Sequence, residues 1–136
     1  MDHAAQREYP APMPNTETQG FWDAVKEGRF LLRYCSDCER AHWYPRAICP
    51  FCHSKKTLWK EASGKGTIYT YSVMRRAKVP FATAYVTLDE GPTLLTNLVD
   101  CDLDGLSIGM RVEVTFVPSQ DETLSVPVFR PLAPTQ

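Results

Sequence analysis

The chain has 136 residues, 43% of them apolar and 23% charged, with a formal net charge of −1. That balance excludes a disordered, collagenous or fibrous protein, and the length allows one domain or two very small ones. No apolar run approaches the ~20 residues of a membrane helix, and Met1-Asp2-His3-Ala4-Ala5-Gln6 lacks the basic end and apolar centre of a signal peptide, so a cytoplasmic protein is expected.

Residues 1–20 carry Pro10, Pro12 and Pro14 and read as an extended, mobile arm. A helix of about three turns follows, with Thr16 or Thr18 to cap it and Gly28 to end it. Phe21, Trp22 and Val25 fall on one face. So short a helix needs a surface to dock on. Phe21 and Trp22 are therefore candidates for docking, either on the next module or on a partner subunit.

Two C-x-x-C pairs come next, Cys35-Ser-Asp-Cys38 and Cys49-Pro-Phe-Cys52, separated by ten residues. Tight turns of this kind bring thiolates together around a tetrahedral Zn²⁺. Disulfides are disfavoured by a reducing compartment and by the odd total of five cysteines. A redox C-x-x-C would explain one pair and leave the other without a role. Cys35, Cys38, Cys49 and Cys52 are thus the predicted ligands of one structural zinc. Four thiolates and one Zn²⁺ bring the metallated chain nearer to −3. Strands are expected over Arg29–Tyr34 and Thr57–Ala62, with Ala41–Arg46 extended between the knuckles.

Residues 63–136 read as all-β. Gly66–Met74 is rich in β-branched and aromatic residues. Ala84–Leu88 and Thr93–Val99 flank the turn Asp89-Glu90-Gly91-Pro92 and form a hairpin. Arg111–Val117 alternates, with Val112, Val114 and Phe116 on one face. Pro127–Pro131 is a short last strand whose prolines suit an edge. Five short strands predict a small barrel of the OB type. The expected class is mostly β: an arm and helix over 1–28, a rubredoxin-like zinc ribbon over 29–62, and a five-stranded OB-fold barrel over 63–136. Net charges in the three stretches 1–20, 21–62 and 63–136 are −2, +3 and −2. None is basic enough for a partner held mainly by phosphate neutralisation.

The order of these segments carries a family resemblance. Phe21-Trp22 to Gly28-Arg29, the two knuckles and Gly64-Lys65-Gly66-Thr67-Ile68-Tyr69-Thr70-Tyr71 come first. Leu88-Asp89-Glu90-Gly91-Pro92, Leu95-Thr96-Asn97-Leu98-Val99 and Ile108-Gly109-Met110-Arg111-Val112 follow. The whole, over roughly residues 18–131, resembles the zinc-ribbon/OB-fold proteins of acyl-CoA metabolism, once grouped as a domain of unknown function. One departure is that such knuckles often place Gly after the second cysteine, where Glu39 and His53 stand here. An altered turn geometry is expected from it. The resemblance implies a small non-catalytic subunit of a thiolase-like enzyme: a thiolase, a lipid-transfer-protein-type aldolase or an acyltransferase. Some family members instead accompany hot-dog-fold hydratases. It further implies that ribbon and helix dock on the partner while the OB portion helps shape the acyl-CoA site. The degradation of an aromatic or steroid-like compound fits such a complex, with two copies of each subunit.

Other residues carry less. Cys101 lies between Asp100 and Asp102, whose charges suppress a thiolate. The histidines, His3, His42 and His53, all belong to the arm or the zinc module, so no base accompanies it. Four cysteines already fill a closed zinc site, which leaves His42 and His53 without a ligand role. Arg75, Arg76 and Lys78 form the densest basic cluster of the OB part and are candidates for coenzyme A phosphates, against the alternative of a solvated loop. Tyr69, Tyr71, Tyr85 and Phe129 would be the stacking platform of the alternative function, single-stranded nucleic-acid binding.

Overall fold

The computed structural model describes residues 8–132. One helix, α1 (Gln19–Lys26), precedes eight strands: β1 (Leu31–Cys35), β2 (Arg40–His42), β3 (Thr57–Glu61), β4 (Lys65–Met74), β5 (Phe81–Leu88), β6 (Thr93–Leu98), β7 (Arg111–Pro118) and β8 (Ser125–Pro131). The first three strands form an antiparallel sheet in the order β2-β1-β3, and the last five close a barrel in the order β4-β5-β6-β8-β7.

The helix is shorter than expected, eight residues. Thr18 is its N-cap residue, but its hydroxyl makes no capping bond. It is spent on the Asn15 N–H at 3.0 Å, while the Asn15 side chain returns a bond to the Thr18 N–H. The other end follows the sequence. Gly28 takes φ +76°, and the N–H groups of Gly28 and Arg29 donate back to Val25 and Ala24. Glycine meets that left-handed cap without the Cβ clash an L side chain suffers. The described part of the arm, 8–18, is tied to the barrel at Tyr9, whose carbonyl accepts from the Gln120 N–H. His3 lies outside the described residues.

Alternation builds the barrel core. Ala82, Ala84, Val86 and Leu88 of β5 point inward with Ile68, Leu94, Leu98, Val112 and Phe129 from its neighbours, all buried. That cluster continues without a break into Phe21, Trp22 and Val25 of the helix and Phe30 and Leu32 of the ribbon. Burial of a side chain of this size stabilises by about 1.5–3 kcal/mol, so the three parts share one core.

The last strand corrects the sequence reading. β8 is not an edge: it pairs with β7 from Ser125 to Pro131 and meets β6 in parallel at Leu98–Phe129. Its prolines are tolerated by parity. Phe129 accepts from the Val99 N–H on the β6 side. Residues 127 and 131 share that orientation, so the missing N–H groups fall where pairing is one residue long, not in the β7 ladder. Ala41–Arg46 also differs. Only Arg40–His42 is strand, after which the chain turns through a cis Trp43–Tyr44 bond.

Candidate metal centre and interdomain groove

The first knuckle leaves β1 at Cys35, and the second is held by Thr57, whose hydroxyl donates to the Ala47 carbonyl at 2.7 Å. All four Sγ atoms, of Cys35, Cys38, Cys49 and Cys52, lie within 4.8 Å of one another. Cys35–Cys52 and Cys38–Cys49 are both separated by 3.6 Å. A tetrahedron of ~2.3 Å Zn–S bonds requires sulfurs about 3.8 Å apart, whereas a disulfide requires about 2.05 Å. The donor set therefore fits zinc. Its electrostatics agree. Burial and the neighbouring thiols push the Cys38 thiol up to about 12. Burial also raises the Cys49 thiol, but the N–H groups of Cys52 and Phe51, with the Cys38 and Cys52 thiols, bring it down to about 7. Four such thiols cannot ionise together unless a cation joins them, and a divalent ion supplies that charge.

Glu39 and His53, the residues after the second cysteine of each pair, take left-handed backbone conformations. They adopt φ +57° and +64°, and their N–H groups donate to the carbonyls of Cys35 and Cys49 at 2.8 and 2.9 Å. Both residues thus hold the positive φ that glycine adopts most freely. It carries strain of about 1–2 kcal/mol at each site.

Phe21 and Trp22 turn inward, onto the ribbon and β8 of their own chain. They are 0% and 8% exposed within this chain. Phe21 meets Trp22, Trp43 and Phe30 edge to face at 5.0, 5.1 and 5.8 Å. A three-turn amphipathic helix gives the same signal whether its apolar face seats within the chain or on another one. Here the ribbon and β8 supply the seat, and the side chains are spent on it.

Arg75, Arg76 and Lys78 lie exposed in the loop between β4 and β5. Arg75 is paired with Asp104 at 2.7 Å. Among the described residues, Arg76 and Lys78 form no ion pair. Of the four aromatics singled out for base stacking, Phe129 is in the core and Tyr71 is half-buried with its hydroxyl donating to the Leu106 carbonyl. Only Tyr69 and Tyr85 stay exposed. The Cys101 thiol is pushed up by burial and by Asp100 and Asp102. His42 is buried in the ribbon and accepts from the Arg46 N–H.

The sequence did not reveal a groove of about 660 Å³ between the ribbon and the β5–β6 turn. Tyr34, Arg40, Phe51 and Lys60 line it from the ribbon, and Glu90 to Thr93 from the barrel. Two cations are laid on rings there: Arg40 over Phe51 at 3.6 Å and Lys60 over Tyr34 at 4.5 Å. Nothing local in the sequence places the β5–β6 turn opposite the knuckles.

A four-thiol ribbon sharing one core with an OB barrel defines a small, zinc-stabilised, two-module β protein. The comparisons specify it further. The family model described as the ChsH2 rubredoxin-like zinc ribbon domain matches residues 22–57, and that of the ChsH2 C-terminal OB-fold domain matches 59–117. A DUF35 domain-containing scaffold protein of Methanocaldococcus jannaschii is 36% identical over 104 residues, covering 70% of this chain and 73% of that protein. The chain belongs to this DUF35/ChsH2 family. A probable enoyl-CoA hydratase alpha subunit of Thermomonospora curvata is 33% identical over 93% of this chain, which spans only 41% of that relative's length. A solved structure described as an Ltp2-ChsH2(DUF35) aldolase matches with TM-score 0.77 and 33% identity, covering 89% of this chain and 98% of that one. Among the described residues, no helix is long and apolar enough to cross a membrane.

Proposed function

We propose that this chain is an accessory subunit, without reacting groups of its own, of a thiolase-type enzyme acting on acyl-CoA thioesters. The partner supplies the nucleophile and bases for carbon–carbon bond cleavage or formation. This chain supplies docking surface, and its OB part borders the acyl-CoA pocket. The complex is a cytoplasmic heteromer with two copies of each subunit, matching the two-fold symmetry common among enzymes, and it serves the degradation of an aromatic or steroid-like compound. The observation that carries this reading is the likeness to the chain of the Ltp2-ChsH2(DUF35) aldolase, which extends over 98% of that chain at 33% identity. Arg76 and Lys78, exposed at the β4–β5 loop, are the proposed contacts for coenzyme A phosphates, with Arg75 beside them.

A second reading replaces the thiolase-like partner by a hydratase. The Thermomonospora curvata relative, named a probable enoyl-CoA hydratase alpha subunit, favours it. Single-stranded nucleic-acid binding has less support: two exposed tyrosines make a thin platform on a barrel segment of net charge −2.

Co-expression with a thiolase-like and, separately, a hydratase-like protein from the same genome tests both. Co-purification in fixed stoichiometry with the first, and bound thioester detected by mass spectrometry, is the expected result. A monodisperse monomer that ignores both would remove the subunit reading.

A further inference from the structure

The outer face of the barrel over β4, β5 and β6 is nearly free of charge. In a chain that is 23% charged, these three neighbouring strands contain one charged residue, Lys65 at the start of β4. Outward side chains of a strand are where charges ordinarily collect. Here they are mainly tyrosine, leucine, methionine and hydroxyl residues. Tyr85 and Leu95 are register partners on β5 and β6, 47% and 59% exposed. Thr70 stands opposite Tyr85 on the β4 side. The register shift between Ile68 and Thr70 lets Tyr69 face outward beside Thr70, and Tyr69 is 68% exposed. Met74, 49% exposed, ends the strand.

The charges at the two ends of this face are largely cancelled within the chain. Arg111 donates to Thr67 and grips Asp89 at one end, and Arg75 pairs with Asp104 at the other. An aromatic, uncharged centre inside a polar rim is the anatomy of a protein–protein contact. Two half-exposed tyrosines with Leu95 and Met74 beside them offer on the order of 400 Å², about half of the ~800 Å² that each partner gives to a standard interface. The outside of a closed barrel is convex, so it cannot enclose a small ligand. β5 is paired along both sides, so no strand can be added to it. The contact must run through side chains, against another folded surface.

We infer that this face is the docking surface for the catalytic partner, which sets an uncharged, apolar patch against Tyr69, Tyr85 and Leu95. A partner charge pressed there would lose its water and find no counter-charge. The inference rests on the proposed subunit role and gives it a location. The helix aromatics are spent on the chain's own core, and the exposed Phe51 and Leu58 of the ribbon lie among charges, with Arg40 over Phe51 and Lys60 on the same strand face as Leu58. A self-contact through the barrel face would occupy the one broad uncharged strand face described, and leave none for the enzyme.

The test uses the zinc-loaded full chain, co-expressed with the thiolase-like protein encoded nearest to it. Hydroxyl-radical footprinting should show Tyr69 and Tyr85 protected in the complex relative to the chain alone. The double variant Tyr69→Glu/Leu95→Glu should lose about 100-fold in subunit affinity, while Tyr69→Phe and Leu58→Glu stay close to the parent. Unchanged zinc content and thermal midpoint verify that each variant is folded. A folded double variant that binds like the parent overturns the inference and leaves the subunit reading standing. So does a loss of affinity without protection of the two tyrosines, or a larger loss in Leu58→Glu. If the chain alone sediments as a dimer that the double variant dissociates while partner affinity is unchanged, the face belongs to a second copy. A parent chain that binds neither a thiolase-like nor a hydratase-like protein removes the subunit reading and this inference with it, an outcome seen before any variant is compared.

Discussion

Phe30 and Phe129 meet edge to face with ring centroids 6.2 Å apart, and the contact joins the first residue before the ribbon sheet to the last strand of the barrel. Both rings are buried, at 4% and 1% exposure. Phe21 reaches the same point from the helix, 5.8 Å from Phe30. Three segments that sequence reading treats as separate modules therefore converge on one aromatic cluster. Local loss of packing at this point is felt by all three.

The helix aromatics should consequently govern stability before they govern assembly. Phe21→Ala removes a fully buried ring and is expected to cost about 3–5 kcal/mol in the isolated chain. Thermal and denaturant melts check the loss. Subunit affinity of whatever fraction remains folded should stay close to that of the parent. A stable variant that binds its partner poorly would return Phe21 to the docking surface.

Metal removal should be destructive. One zinc per chain is expected, and structural zinc contributes on the order of 10 kcal/mol to small modules. Cys38→Ala or strong chelation should unfold the ribbon, 31–61, and expose Trp43 and Trp59. Metal analysis together with tryptophan emission reads both effects. Folded chain purified with far less than one zinc would contradict this assignment.

Replacing the two left-handed knuckle residues should stabilise the fold. Glu39→Gly and His53→Gly relieve about 1–2 kcal/mol of backbone strain each and lose about 0.5–1 to the greater freedom of glycine when unfolded. A gain of up to about 1.5 kcal/mol per site remains. It should appear as a higher thermal midpoint and slower loss of metal to a chelator. The same change at an ordinary strand residue would lower stability, which provides the control.

The barrel carries one fork-shaped ion pair whose pH dependence is predictable in sign. Arg111 grips both carboxylate oxygens of Asp89 at 2.8 Å. The hydrogen bonds and charge of Arg111 hold the Asp89 carboxyl below its usual range. A depressed folded-state pKa gives stability that is present above the unfolded value, about 3.9, and is lost as pH falls through the lower folded value. The thermal midpoint of Asp89→Asn should therefore trail the parent at neutral pH by a small margin, since the pair is half exposed. The gap should close below about pH 4. A gap that is constant down to pH 2 would mean that the pair does not act through ionisation.

Much of this protein is local information and was legible in its residues. The cysteine spacing selects a four-thiol site because tight C-x-x-C turns permit few other uses of four sulfurs. Period-two alternation located the barrel strands, and Asp89-Glu90-Gly91-Pro92 marked their hairpin. Gly28 ended the helix where its positive φ is needed.

What the tertiary structure decided depends on groups far apart in the chain. Periodicity shows that Phe21 and Trp22 need burial, but only the folded chain shows that the ribbon and β8 provide it. Pro127 and Pro131 signal an edge by composition. Barrel closure places them instead between two strands, and their parity aims the missing N–H groups at the shorter pairing. Glu39 and His53 were legible as departures from glycine, yet only the fold shows that both take positive φ. The groove is the extreme case. Arg40 and Lys60 line it from the ribbon only because a barrel turn stands opposite, an arrangement set by the shared core rather than by any sequence near them.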